Sequence, residues 1–143
     1  MKKIFHAWNK MRLTKKSNTN WQRLIFYNLK FHIMEFPKRG ELWMIALDPT
    51  TRPCLVVSRT DYNQKANTIT IIPCSSGPVK YPAWEVELDK TSGLDNVSRL
   101  LLPQIRVAAK ERLRKKKGQI PPAKWHEVQE KLMFYLGFDS DDI

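Results

Sequence analysis

The sequence predicts a small, mainly β domain, a partly open barrel of short strands followed by a C-terminal helix. Three observations carry this. Short apolar runs separated by polar turns recur at close spacing from Gly40 to Ala108. Thr68 to Cys74 alternates Thr and Ile, the pattern of a strand with one buried face. Beyond Pro121-Pro122, Trp125, Val128, Leu132, Tyr135 and Leu136 fall on one helical face, and Gly137 stops the helix.

The elements follow in order. Gly40 to Leu47 reads as the first strand, and Asp48-Pro49-Thr50 ends it with turn chemistry, because Asp caps a turn and Pro fixes φ. Cys54 to Ser58 is the second strand, and Asp61 to Asn67 a polar loop. Thr68 to Cys74 is the third strand and runs into the polar turn Ser75-Ser76-Gly77-Pro78. Trp84 to Leu88 alternates again, with its carboxylates expected outward. Ser98 to Leu102 is a short buried strand stopped by Pro103, and Gln104 to Ala108 follows it. Arg112 to Lys117, the densest basic run, is expected to be a solvated loop whose phosphate contacts would be blind to sequence.

The chain divides by composition into residues 1–36, 37–138 and 139–143. The first part is basic and rich in Asn and Lys. It carries two amphipathic helical stretches, one through Ile4, Trp8 and Met11 and one through Trp21, Leu24, Ile25 and Leu29. It reads as an extension packed on the domain or as a surface-seeking basic segment, and Met34 is an alternative start. Asp139 to Ile143 is an acidic tail expected to be disordered.

The 143 residues suffice for one domain with an extension, and 42% hydrophobic residues are too many for a wholly disordered chain. Lys and Arg total 25 against 14 Asp and Glu, a formal net charge of +11. That balance favours nucleic acid, an anionic membrane or an acidic protein as partner. No apolar run is long enough to span a bilayer, and the basic N-terminus lacks the apolar core of a signal peptide. Cys54 and Cys74 sit in strand-like runs, as buried thiols of a cytoplasmic protein do, and no Cys or His pair has metal-ligand spacing.

Two polar groups stand at strand ends. Arg52 precedes the run Cys54 to Val57, and Ser75 ends the run from Thr68. If the two strands pair, a guanidinium and a hydroxyl converge on one anion, a candidate phosphate or RNA site.

Six segments then carry a resemblance. Lys38-Arg39-Gly40-Glu41-Leu42-Trp43, Leu47-Asp48-Pro49-Thr50, Thr51-Arg52-Pro53-Cys54-Leu55-Val56-Val57, Ile72-Pro73-Cys74-Ser75-Ser76, Tyr81-Pro82-Ala83-Trp84-Glu85-Val86 and Gln104-Ile105-Arg106 occur in that order. Together they resemble the MazF/PemK toxin family. The resemblance implies an SH3-like β-barrel of the CcdB/PemK type with a C-terminal helix, working as a homodimer. It implies endoribonuclease activity on single-stranded RNA through metal-independent attack of the ribose 2′-OH, with no cofactor. It also implies an acidic antitoxin as partner, and operator DNA contact through the antitoxin complex. By the same resemblance Arg52 is catalytic, and Ser75 stands where the family usually has a catalytic threonine. Thr51, Ser76, Lys80, Gln104 and Arg106 are the candidate RNA contacts.

The sequence also departs from the family. Thr51 alone separates Thr50 from Arg52, where homologues carry a longer loop with an acid or a histidine. The arginine and aspartate that some members place before the glutamine correspond to Leu101 and Pro103. A phosphate stabiliser and a hydroxyl are therefore identified, and a general base is not. His6, His32 and His126 lie outside the recognised segments. The alternative is a catalytically impaired relative that binds nucleic acid or antitoxin. A gyrase poison of the CcdB type would end in Trp-Gly-Ile, whereas this chain ends Asp141-Asp142-Ile143.

Overall fold

The computed structural model describes residues 36–138. The helical stretches read before Met34 and the acidic tail lie outside that range. Seven antiparallel strands and two helices follow one another: β1 (Glu41–Ala46), β2 (Thr51–Val56), α1 (Thr60–Lys65), β3 (Thr68–Ser76), β4 (Glu85–Leu88), β5 (Ser98–Leu101), β6 (Arg106–Ala109), β7 (Leu113–Gln119) and α2 (Pro122–Leu136). The strand order is β4-β5-β3-β2-β1-β7, with β6 also pairing β3.

β3 organises the sheet. Its first half pairs β6 from Thr68↔Ala109 to Ile71↔Arg106. Its end pairs β5 from Cys74↔Leu100 to Ser76↔Ser98. Between them it pairs β2, Cys54↔Pro73 to Val56↔Ile71. A nine-residue strand serving three partners must bend, and its two faces feed two cores. Leu42, Leu55, Ile72, Cys74, Val86, Leu88, Leu100 and Leu102 pack with Val128 of α2 in one, while Trp43, Ile45, Cys54, Val56, Ile69, Ile71, Ala108 and Leu113 form the other. α2 presents the predicted face: Val128 is fully buried, and Trp125 and Leu132 pack beside it. Gly137 ends the helix in the left-handed conformation, φ 72°.

Three expectations are corrected. Asp61 to Asn67 is not an unstructured loop, because α1 occupies most of it. Asn63, its one buried residue, donates to Pro37 O and Ser58 O at 3.0 Å. Arg112 to Lys117 is not a solvated loop before the helix: from Leu113 it is strand β7, paired with β1. Lysines on the outward side of such a strand protect it from edge-to-edge association. Glu85 does not point outward. Its side chain is buried, accepts from the Lys80 and Tyr81 amides at 2.6 and 3.1 Å, and lies 3.4 Å from Arg99 Nε.

A second buried carboxylate explains the first family-like segment. Glu41 Oε2 accepts from the Lys38 amide and the Trp43 indole, each at 2.9 Å, and Oε1 lies 2.7 Å from Lys116 Nζ. Burial pushes the Glu41 carboxyl up, but the bonds from Lys116, Lys38 and Trp43 outweigh it and hold the group below the ordinary carboxylate value.

Candidate functional site

The site grows from the β1–β2–β3 pairing. Met44 pairs with Pro53 in the β1–β2 ladder. The β2–β3 register, continued one residue beyond Cys54↔Pro73, sets Pro53 against Cys74, and continued two, sets Arg52 across from Ser75. Met44, Pro53 and Cys74 thus form a row across three strands, with Leu94 beside it, and floor a cleft of about 270 Å³. Arg52, Ser75 and Ser76 line the same cleft. Arg52 and Ser75, which the sequence placed at two strand ends, thus line one cleft.

The turn that holds Ser75 and Ser76 is fixed from behind. Arg99 of β5 donates to Ser76 O at 2.9 Å and to Pro78 O at 3.3 Å, while Glu85 faces its Nε. Gly77, at φ 99°, lets the chain reverse there, and its amide donates to Val97 O. Arg99 therefore positions the serines although it is not among the lining residues. The sequence marked only a short apolar strand at this point.

The β1–β2 connection is as short as the sequence implied. Leu47 N donates to Thr50 O at 2.9 Å, and the Asp48–Pro49 peptide is cis. The Asp48 carboxylate accepts from Arg112 at 2.6 Å, and this bond with the Arg112 charge holds the carboxyl below its usual range.

The other sequence candidates sit elsewhere. Thr51 is exposed at the start of β2, Lys80 is exposed before the Tyr81 turn, and Gln104 is exposed in the short 3-10 turn after β5; none lines the cleft. Arg106 lines a different, polar hollow of about 320 Å³ with Asp48 and Arg112. Burial pushes the Cys54 thiol up to about 12, and the charges of Arg52 and Arg106 both oppose that shift. Burial likewise drives the Cys74 thiol well above its ordinary value, so neither cysteine is a nucleophile near neutral pH. Of the three histidines, only His126 is described, exposed on α2 and 3.8 Å from Glu130.

Asp95, in the loop before β5, and Lys117, on β7, also line the cleft and form an ion pair at 3.2 Å. They are 22 positions apart; the sequence marked Lys117 only as the end of the basic run from Arg112 and did not mark Asp95.

Residues 38–136 match the model of the PemK-like, MazF-like toxin of type II toxin–antitoxin systems. The chain belongs to this family. It is 32% identical over 112 residues to endoribonuclease MazF9 of Mycobacterium tuberculosis, which covers 69% of this chain and 95% of the relative. Among solved structures, the MazE–MazF complex from Deinococcus radiodurans aligns with a TM-score of 0.62 at 28% identity, covering 72% of this chain and 97% of that one. A mycobacterial endoribonuclease solved with its cognate antitoxin shares the fold, with a TM-score of 0.64 at 21% identity over 71% of this chain and 95% of that one. The sequence-based expectation of a MazF/PemK fold, a mainly β domain with a C-terminal helix, agrees with these matches. Within this PemK-like chain, the arginine-proline segment and the Pro73–Ser76 segment are the two that meet at the cleft.

Proposed function

We propose that this protein is the RNA-cleaving toxin of a toxin–antitoxin pair and that the Arg52–Ser75 cleft holds the scissile phosphate of single-stranded RNA. The carrying observation is the cross-strand placement of Arg52 and Ser75 at one cleft. The planar guanidinium binds two non-bridging phosphate oxygens and offsets the charge that grows on them as the ribose 2′-OH attacks phosphorus. The Ser75 hydroxyl donates a further hydrogen bond, and Ser76 adds a hydroxyl at the rim. The attacking group is the substrate's own hydroxyl, so the proposed reaction needs no metal-bound water as nucleophile. Arg106 and Lys80, outside the cleft, contact flanking phosphates, and Thr51 and Gln104 border the bound strand.

Family membership supports an acidic antitoxin as partner, matching the net charge of +11, with operator DNA reached through the antitoxin. Met133, Phe134, Leu136 and Phe138, exposed at the end of α2, supply an apolar face for a homodimer. The compartment is the cytoplasm, where two unpaired buried thiols persist.

The test is incubation with long single-stranded RNA in EDTA, beside Arg52→Ala and Ser75→Ala. Discrete cleavage with 2′,3′-cyclic phosphate ends, lost in Arg52→Ala, is the expected result. Salt-sensitive binding without cleavage across diverse RNAs rejects the enzyme. It would favour a second reading, a binding protein without turnover, whose support is the short Leu47–Thr50 turn, where the one acid, Asp48, is already engaged by Arg112.

A further inference from the structure

We propose that Asp95 and Lys117 form the proton-transfer pair of this centre: Asp95 takes the proton of the attacking 2′-hydroxyl and Lys117 supplies one to the departing 5′-oxygen. The proposal rests on the Arg52–Ser75 cleft being the site of the scissile phosphate.

A base must lie within reach of the phosphate that Arg52 holds. Among the described residues, Asp95 is the one carboxylate that lines the cleft, and no imidazole does. Its side chain is 84% exposed, so its lone pairs remain open to a substrate hydroxyl while Lys117 Nζ sits 3.2–3.3 Å from both oxygens. The charged groups that share the cleft with Asp95 are Lys117 from β7 and Arg52 from β2.

The chain is shaped to make this pair. Between Leu42↔Gly118 and Trp43↔Lys116 the β1–β7 register slips by one, which leaves Lys117 as the extra residue of a β-bulge. A bulge re-aims the side chain it carries, and Lys117 is largely covered, at 20% exposed. Two glycines bring the Asp95 loop onto the same spot. A Cβ on Gly93 would overlap the Lys117 carbonyl oxygen, and one on Gly118 would overlap that of Ser92. An ion pair whose carboxylate is this exposed contributes little to stability, so the bulge and the glycine contact make more sense as placement.

The step balances within the pair. The 2′-oxygen bonds to phosphorus as its proton passes to Asp95. The bond from phosphorus to the 5′-oxygen breaks, its electron pair stays on that oxygen, and Lys117 protonates it. The products are a 2′,3′-cyclic phosphate and a 5′-hydroxyl. Protonated Asp95 then returns one proton to neutral Lys117, which restores the ion pair.

The experiment uses the full chain and an oligonucleotide spanning a site mapped on long RNA. It is made also with sulfur in place of the scissile 5′-oxygen, a leaving group that departs without a proton. Asp95→Asn is expected to slow single-turnover cleavage of both substrates by about 10²–10⁴-fold. Lys117→Met is expected to slow the oxygen substrate by a similar factor and the sulfur substrate by much less. Lys117→Arg keeps the ion pair yet leaves the oxygen substrate slow, and thermal melts report whether each variant folds. Cleavage by Asp95→Asn within a few-fold of the unaltered protein overturns the base assignment. Equal loss on both substrates in Lys117→Met, or full rescue by Lys117→Arg, overturns the acid assignment. If Arg52→Ala is inactive while Asp95→Asn is active, the cleft reading stands and only the pair falls. Absence of cleavage by the unaltered protein overturns both.

Discussion

In the proposed function, the guanidinium at position 52 offers the phosphate a rigid fork of donors, which an ammonium cannot reproduce. Arg52→Lys keeps the charge and loses the fork, so RNA cleavage is expected to fall by about 10²–10³, the usual cost of losing an oxyanion donor, with the melting temperature unchanged. Retention of more than a tenth of the rate in single-turnover assays would contradict the bidentate role. Glu41 makes a residue-scale prediction about stability. Glu41→Ala leaves the Trp43 indole, the Lys38 amide and Lys116 without their common acceptor, an expected loss of about 2–4 kcal/mol by urea unfolding. Because its folded pKa lies below the unfolded value, Glu41's contribution is full above about pH 4.3 and is lost as pH falls through the folded value. The loss caused by Glu41→Ala should therefore shrink in acid, as unfolding curves across that range will show. At this scale the sequence was informative where a residue's neighbours were local. Arg52 and Ser75 were visible because each ends a recognisable strand, whereas the inward turn of Glu85 needs Arg99 from another strand.

Elements were legible in proportion to their burial pattern. β3 was plain because Thr and Ile alternate over one buried face, and α2 because its apolar residues recur at helical spacing. α1 was hidden: six residues bury one side chain, Asn63, and polar composition alone resembles a loop. β7 was hidden too, since Arg114, Lys115 and Lys116 are exposed and only Leu113 is buried in the strand. The contact between the Gly93 turn and β7 belongs to this scale and left no sequence signal beyond two glycines. Gly93→Ala forces a side chain into φ 89° and against the Lys117 carbonyl. It is expected to cost about 1–3 kcal/mol in thermal or urea unfolding, and to lower cleavage further than the lost stability explains, because Asp95 shifts away from Lys117. An activity loss no greater than the unfolded fraction would count against that placement.

Taken whole, the chain carries a net charge of +11, and among its described residues Arg52 and Ser75 line one cleft while Arg106 lines another hollow. In the proposed function, phosphate contacts outside the Arg52–Ser75 cleft set affinity and those inside set chemistry, so the two should separate in salt. Binding of single-stranded RNA by Arg52→Ala is expected to weaken linearly in log–log form as salt rises, with a slope of about −0.7 per phosphate neutralised. Arg106→Ala should reduce that slope by about one phosphate contact, read by fluorescence anisotropy, and a slope unchanged by Arg106→Ala would remove that residue from the RNA path. The overall architecture was readable because six short segments kept order and spacing. The ion pair in the cleft was not, because Asp95 and Lys117 meet only after the sheet has closed.

The irregularity at Lys117 has a genetic corollary. The pairs on either side, Leu42↔Gly118 and Trp43↔Lys116, become consecutive if that one residue is removed. An in-frame loss of a single codon is thus expected to yield a protein that still folds and still occupies its antitoxin, yet no longer cuts RNA. Cells carrying such an allele should grow without the antitoxin, which would make this codon a short mutational path from poison to harmless decoy.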